Sequence, residues 1–390
     1  MANIFDYLNW RGDIPFSFDP FCAVDNLILS EIAYVDLDGI APDAASRETI
    51  PLTEASEQFF RLHSEEELRA RTDFICRTPF VLQEAAKTRR FRDIRIGRYV
   101  NRISKSAEEQ MSAMEFLLPD GTAYVAFRGT DDTIIGWKED LNLSFSAQTS
   151  GQEHAAEYLS SYSTSSDMPL RVGGHSKGGN FAVYASAFCD SSVQKRILSV
   201  YTNDGPGFLP EITEKEDFRR ILPLVHSIIP KDSVFGLLLS SGYVHRVVES
   251  DNKGLMQHDG LSWQVLGNRF VEVPATSRAS AFMEKTLQQW IDSFSLQERA
   301  DFSNAIYEVL TSGGADTLTD LNREKLAGSF KVLNSFRKMN RQEQEVISGT
   351  LRQLVRSGMQ TLQKDITEKV AEVSEKVTDA RDKDSSHPAF

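Results

Sequence analysis

One short segment contains the residues with the clearest chemical potential. Gly174-His175-Ser176-Lys177-Gly178 has the form G-x-S-x-G and lies between an apolar stretch and a stretch rich in small residues. Between a strand and a helix, a serine in this pattern lies on a tight turn with an exposed hydroxyl, and the glycines leave room for neighbouring backbone. We therefore predict that Ser176 is a nucleophile and that Gly174 and Gly178 shape its turn. A purely structural glycine-rich turn is the alternative.

A serine nucleophile needs two partners. Because its hydroxyl is weakly reactive near neutral pH, a histidine must act as base and a carboxylate must orient that histidine. The expected chain order on this kind of turn is serine, acid, histidine. Asp232 follows the apolar stretch 224–229 and is the predicted acid. Asp204, beside Gly205-Pro206-Gly207, is the rival, and a turn or a substrate contact is its favoured role.

The predicted base is His258, in the polar loop 251–260 that follows a strand expected over 243–249. His245, within that strand, is the alternative. The other histidines precede the serine, belong to its own turn, lie in mid-strand or fall near the end of the chain, and they are set aside: His63, His154, His175, His226 and His387.

Attack on an acyl carbonyl also needs hydrogen-bond donors for the oxyanion that forms. The amide of Lys177 is one candidate, because it would begin the helix after the turn. The second is Thr130, which offers an amide and a hydroxyl where the apolar strand of Phe127-Arg128-Gly129-Thr130 ends.

The residues after this strand end are acidic and aromatic. Asp131 is a candidate substrate contact, like Asp204. Trp137 is expected to be a packing anchor, and Asp140 is expected to be a partner for Arg128.

Alternating elements must bring these residues to one edge of a sheet. Strands expected at 122–128, 170–173, 197–203, 224–229 and 243–249 are interspersed with helices such as 178–189. This order predicts an α/β fold with a mostly parallel central sheet covered on both faces. The predicted organisation is a helical N-terminal segment (1–93) that packs on a catalytic core (94–276), a helical region (277–363), and a charged helix or disordered tail (364–390).

Composition excludes several classes of protein. The 390 residues include 43 Lys and Arg against 56 Asp and Glu, a net charge of −13, which argues against a nucleic-acid partner. Three scattered cysteines favour a reducing compartment over a disulfide framework or a metal site. Without a signal peptide or a membrane-spanning stretch in the sequence, a cytoplasmic location is expected. The basic stretch 87–98 is interpreted as a solvated face, with a phosphate or headgroup contact as the alternative.

The motifs resemble those of a known superfamily. Phe127-Arg128-Gly129-Thr130 and Gly174-His175-Ser176-Lys177-Gly178-Gly179 are similar to motifs of the class three, fungal-type lipases of the α/β-hydrolase superfamily. Residues 1–275 are more similar still to an uncharacterised bacterial family of predicted lipase-like serine hydrolases. Two departures stand out. Lys177 replaces an apolar residue and would add a charge beside the acyl site, and the helical region after about residue 277 has no counterpart in the lipases.

The resemblance implies a lipase-like or esterase-like hydrolase that cleaves a carboxylic ester through Ser176, Asp232 and His258 without metal or cofactor. The helices at both ends of the chain would cap the site and form an apolar pocket. Contact with a membrane surface stays open, and the oligomeric state is not indicated. The alternatives are an acyltransferase or thioesterase with the same triad, and a non-catalytic interaction protein of this fold.

Overall fold

The computed structural model describes residues 1–73, 75–311, 316–317 and 348–349. In this part of the chain the strands are β1 Thr49–Pro51, β2 Arg95–Ser104, β3 Glu109–Leu117, β4 Ala123–Phe127, β5 Leu170–His175, β6 Ile197–Asn203, β7 Val225–Pro230, β8 His245–Val248, β9 Val265–Leu266, β10 Arg269–Phe270 and β11 Glu272–Val273. The helices are α1 Ile4–Arg11, α2 Ala23–Ile32, α3 Leu52–Leu62, α4 Glu65–Ala70, α5 Thr78–Lys87, α6 Ile134–Asn142, α7 Ser150–Ser160, α8 Tyr162–Ser165, α9 Lys177–Phe188, α10 Ser191–Gln194, α11 Pro210–Thr213, α12 Glu216–Ile221, α13 Arg278–Asp292 and α14 Leu296–Thr311. The tail predicted over 364–390 lies outside the described residues.

Nine strands form one mixed sheet in the order β1-β2-β3-β4-β5-β6-β7-β8-β11, and β9 pairs with β10 in a separate ribbon. The pairs from β4 to β8 are parallel, whereas β1 to β4 and the β8–β11 pair are antiparallel. The expectation of a mostly parallel sheet therefore holds only for its five central strands. Strands β3 and β4 are antiparallel because a short turn joins them and reverses the chain direction.

Strand β4 shows why both faces of the sheet are buried. All five of its residues are buried. Because side chains alternate along a strand, Tyr124 and Ala126 join the core under the N-terminal helices, whereas Val125 and Phe127 join the core under α7 and α9. The helices on the two faces thus hold the central strands rigidly, and the loops after those strands are free to carry polar groups.

One buried arginine fixes the N-terminal helices. Arg90 is 1% exposed, and its guanidinium donates to both carboxylate oxygens of Asp25 at 2.8 and 2.6 Å. Its remaining N–H groups donate to the carbonyls of Ile14, Asp19 and Pro20. The prediction that 87–98 is a solvated face is therefore wrong at Arg90, since all five of its donors are used inside the protein.

The two last described helices, α13 and α14, lie near the carboxyl ends of the central strands. The Ser303 hydroxyl on α14 donates to Asn142 Oδ1 of α6 at 2.9 Å, and the Arg299 guanidinium donates to the Ser144 carbonyl at 2.7 Å. On α13, the Ser280 hydroxyl donates to the carbonyl of Ser233, just after β7. These contacts attach both helices to the edge of the sheet where Ser176 lies.

Candidate active site

Ser176 occupies a strained turn between β5 and α9. Its backbone has φ 57° and ψ −134°, a region that non-glycine residues rarely adopt. A Cβ on Gly178 would lie 2.1 Å from the Phe127 carbonyl oxygen, and one on Gly174 would lie 2.3 Å from the Gly178 carbonyl carbon. Both positions therefore require glycine, and this requirement explains the G-x-S-x-G pattern in physical terms.

His258 ends the short 3-10 turn Gly254–His258 and lines the same cavity as Ser176. Its Nδ1 lies 2.6 Å from Oδ2 of Asp204, a fully buried carboxylate. The other Asp204 oxygen accepts hydrogen bonds from the Ser233 hydroxyl and from the Gly236 amide. Asp204 is thus held in place and presents one oxygen to the histidine ring.

The sequence-based choice of Asp232 as the acid disagrees with this geometry. The Asp232 carboxylate accepts from the Gly254 amide at 3.1 Å and from the Gln257 side chain at 3.0 Å. Asp204 follows β6, which is the direct neighbour of β5, whereas Asp232 follows β7, one strand further from the serine. The structure therefore brings Asp204 to His258, and Asp232 stabilises the turn that carries the histidine.

His175, set aside on sequence grounds, connects the serine turn to the histidine loop. Its Nε2 lies 2.7 Å from the His258 carbonyl oxygen, and its Nδ1 lies 3.0 Å from the Tyr34 hydroxyl. Burial lowers the pKa of His175 to about 3, which favours the neutral ring. Because a carbonyl can only accept, Nε2 carries the proton and Nδ1 accepts from Tyr34. No local motif signals this role, since Tyr34 is distant in sequence.

Another part of the site is formed by the residues that follow β4. Gly129 allows a close approach to the serine turn, since a Cβ there would lie 2.4 Å from the His175 carbonyl oxygen. Thr130 lines the cavity, and its hydroxyl donates to Asp140. Arg128 pairs instead with Asp131 at 3.4 Å, so the expected Arg128–Asp140 partnership is wrong. Asp140 instead accepts a hydrogen bond from the Thr130 hydroxyl.

Two predicted side-chain roles do not match their positions. The Lys177 side chain is fully buried, with Nζ 3.0 Å from Glu139 Oε2 and 2.9 Å from Gln110 Oε1, so it adds no charge to the cavity. Asp131 accepts from the Thr133 amide and is not among the residues that line the cavity. The backbone amide of Lys177, at the first position of α9, has no intrahelical partner.

The cavity has a volume of about 270 Å³ and is mainly apolar. Leu255 and Met256 contribute to its lining and are 59% and 63% exposed. Burial raises the pKa of Glu31, in the cavity wall, well above its ordinary value. The complete lining is Glu31, Tyr34, Ile75, Thr130, Trp137, Asp140, His175, Ser176, Pro206, Phe235, Leu255, Met256, His258, Asp259 and Gly260. Trp137, predicted as a packing anchor, thus also lines the site.

Ionisation of Asp140 should change how the free energy of unfolding depends on pH. Burial raises its pKa to about 6, against about 3.9 in an unfolded chain. Between these values the native state binds more protons than the unfolded state, so this carboxyl lowers stability as pH rises through that window. We expect the free energy of unfolding of Asp140→Asn, measured in urea at several pH values, to fall less than that of the wild type from about pH 4 to 6. Parallel profiles would contradict the raised pKa.

The described residues contain no group of three or more His, Cys, Asp or Glu side chains placed to hold a metal ion. Among the helices in the described part of the chain, none has both the length and the apolar character needed to cross a membrane.

The fold and the site define an α/β protein with a serine, a histidine and a buried aspartate gathered at one sheet edge. Residues 85–308 match the family model described as Mbeg1-like, and because this is more than half of the chain, the protein belongs to that family. The narrower resemblance to a bacterial family stays a prediction. None of the curated proteins matches the chain.

Two solved fungal lipase structures show a distant likeness. A fungal lipase–inhibitor complex that served as a model for interfacial activation is 17% identical, with a TM-score of 0.31, over 44% of this chain and 68% of its own. The native Rhizomucor miehei lipase propeptide complex is 16% identical, with a TM-score of 0.30, over 41% of this chain and 58% of its own. Similarity this weak supports no conclusion about the site, which rests on the geometry described above.

Proposed function

We propose that this protein is a serine hydrolase that cleaves a carboxylic ester through Ser176, His258 and Asp204. The observation that carries the proposal is the position of His258. Its Nδ1 lies 2.6 Å from the buried carboxylate of Asp204. The His258 ring also lines the same cavity as Ser176, which lies on the strained turn. A base that is oriented by a buried acid and shares a cavity with a serine supports the proposal of a Ser176–His258–Asp204 triad.

In the first half of the reaction, Nε2 of His258 accepts the Ser176 proton while Oγ attacks the acyl carbonyl carbon. Asp204 keeps the Nδ1 proton of the ring pointing away from the serine and stabilises the imidazolium that forms. The amides of Lys177 and Thr130 are the proposed donors to the oxyanion. Collapse of the tetrahedral intermediate breaks the ester bond, and the imidazolium donates its proton to the departing alcohol.

In the second half, water replaces the alcohol. His258 removes a proton from the water, whose oxygen attacks the acyl-enzyme, and the returning proton restores the Ser176 hydroxyl as the carboxylic acid leaves. The apolar cavity with its exposed Leu255 and Met256 favours a lipid or other apolar ester as the substrate. None of these steps calls for a cofactor, and a cytoplasmic location is part of the same proposal.

A fluorophosphonate probe tests whether Ser176 is activated. We expect the wild type to be labelled at Ser176, and Ser176→Ala to be unlabelled and to lose ester turnover by roughly 10⁶-fold. Ser240→Ala, at an exposed serine, is the matched control and should react like the wild type. A folded wild type that never reacts would falsify the catalytic proposal and favour a non-catalytic interaction protein. Acyl transfer to an added alcohol in preference to water would favour an acyltransferase instead.

A further inference from the structure

A second, smaller cavity lies directly beside the catalytic cavity. Its volume is about 120 Å³. Its walls are mainly apolar and include Leu141, Leu238, Trp290, Ile291, Phe294 and Phe302. We refer to it as the side chamber. Trp290 and Ile291 of α13 and Phe302 of α14 belong to this list, and Phe294 lies between the two helices, so the chamber depends on this helical region.

Asp140 and Pro206 line both cavities, and they form the boundary between them. Asp140 receives the hydrogen bond of the Thr130 hydroxyl, and the Pro206 carbonyl accepts from the Asn180 side chain at 3.1 Å. Both boundary residues are therefore held in position. The side chamber begins next to Thr130, a proposed oxyanion donor, which places it within reach of a group attached to the reacting carbonyl.

The far wall of the chamber is also well fixed. The Trp290 ring packs edge-on against Phe294 and Phe302, with ring centroids 6.0 and 5.8 Å apart. Arg299, which lines the chamber with Ser144 and Glu298, donates to the Ser144 carbonyl at 2.7 Å. An apolar chamber with few polar partners binds water poorly and hydrocarbon well.

From these features we propose that the side chamber binds the hydrocarbon chain of the substrate's acyl group, so that the preferred substrates are esters of fatty acids long enough to pass Asp140 and Pro206. The inference rests on the proposed function. The acyl group stays attached to Ser176 through both halves of the reaction, whereas the alcohol must leave first and give way to water. A chamber enclosed by helices therefore suits the acyl group, which stays attached to the protein.

Binding of a fatty acid tests the chamber without catalysis. A dodecanoic acid brominated at its end quenches tryptophan fluorescence at short range, and Trp290 lies in the chamber wall. We expect saturable quenching of the wild type and loss of most of that quenching in Trp290→Phe, which keeps an aromatic wall. Quenching that is unchanged in Trp290→Phe would show that the chain binds elsewhere and would overturn the proposal.

Turnover of a series of p-nitrophenyl esters tests the chamber during catalysis. For the wild type, kcat/KM should rise about fourfold per added methylene beyond butyrate until the chamber is full. Leu238→Trp, which fills the chamber, should remove this rise, so that its kcat/KM for longer esters no longer exceeds its own kcat/KM for butyrate. Leu296→Trp is the matched control, because Leu296 is 48% exposed and lines neither cavity.

The binding experiment and the turnover experiment together distinguish failure of this inference from failure of the proposed function. Hydrolysis of acetate and butyrate with no gain for longer acyl chains would overturn the acyl assignment alone. A rise in kcat/KM with the length of the alcohol, in a series of acetate esters, would also overturn the acyl assignment alone. If the wild type cleaves no ester and reacts with no fluorophosphonate, the proposed function fails, and the quenching experiment still decides whether the chamber binds hydrocarbon.

Discussion

Replacement of Asp204 by asparagine is expected to lower kcat by about 10⁴-fold while leaving the protein folded. The reason lies in the proton on the His258 ring. The Asp204 carboxylate can only accept, so it holds a proton on Nδ1 and leaves Nε2 free to act as a base. An asparagine amide would donate toward Nδ1, move the ring proton to Nε2 and abolish the base. The amide oxygen of Asn could still accept from Ser233 and Gly236.

Asp232→Asn is the matched control for this experiment. Asp232 bonds to the Gly254 amide and to Gln257, and not to the histidine ring, so we expect only a few-fold effect on kcat. Initial rates on a short-chain ester, with melting temperatures for both variants, provide the comparison. Should Asp232→Asn lose turnover while Asp204→Asn keeps it, Asp232 would be the acid after all.

Lys177→Met is expected to reduce the free energy of unfolding by about 3–5 kcal/mol. Lys177 and Glu139 are both fully buried, with Nζ and Oε2 3.0 Å apart. The Glu139 carboxylate also accepts from the amides of Gln110 and Gly151, so it cannot move to water when its cation is removed. An unpaired buried carboxylate is strongly destabilising, whereas a methionine of similar volume fills the space left by the lysine.

The double variant Lys177→Met/Glu139→Gln should recover much of this loss, because a neutral amide needs no buried cation. Lys231→Met is the control: Lys231 is 42% exposed and its partner Glu249 is partly exposed, so loss of this pair should change stability by about 1 kcal/mol or less. Urea unfolding monitored by tryptophan fluorescence gives all four values. If Lys177→Met were as stable as the wild type, Lys177 would be dispensable to the fold.

The serine turn could be predicted because its determinants are local. The steric conflict at Gly178 is with the end of β4, but the pattern of glycines around Ser176 lies within five residues and follows from the tight turn itself. The sequence also predicted that His258 lies in a polar loop beside Ser176, and both residues line the same cavity, while its role as a base stays a prediction. The alternation of strands and helices was also enough to predict the parallel centre of the sheet.

The acid could not be chosen in the same way. Asp204 and Asp232 each follow an apolar strand, and only the strand order shows which of them lies next to β5. The role of His175 depends on Tyr34, and the side chamber depends on how α14 packs on α6 and α13 on the loop after β7. These are long-range packing properties, set by the burial of whole helices, and they leave no signature in any single segment of the sequence.

The position of α2 and Tyr34 has a consequence for how this chain can be divided. Nine of the ten residues of α2 are buried, and Glu31 at its end and Tyr34 just beyond it form part of the cavity wall. Tyr34 also contacts the ring of His175, which bonds to the His258 loop. The N-terminal helices are therefore as much a part of the cavity as the strands. A chain shortened to the sheet and the helices after it would lose one wall of the cavity and the hydrogen bond between Tyr34 and His175.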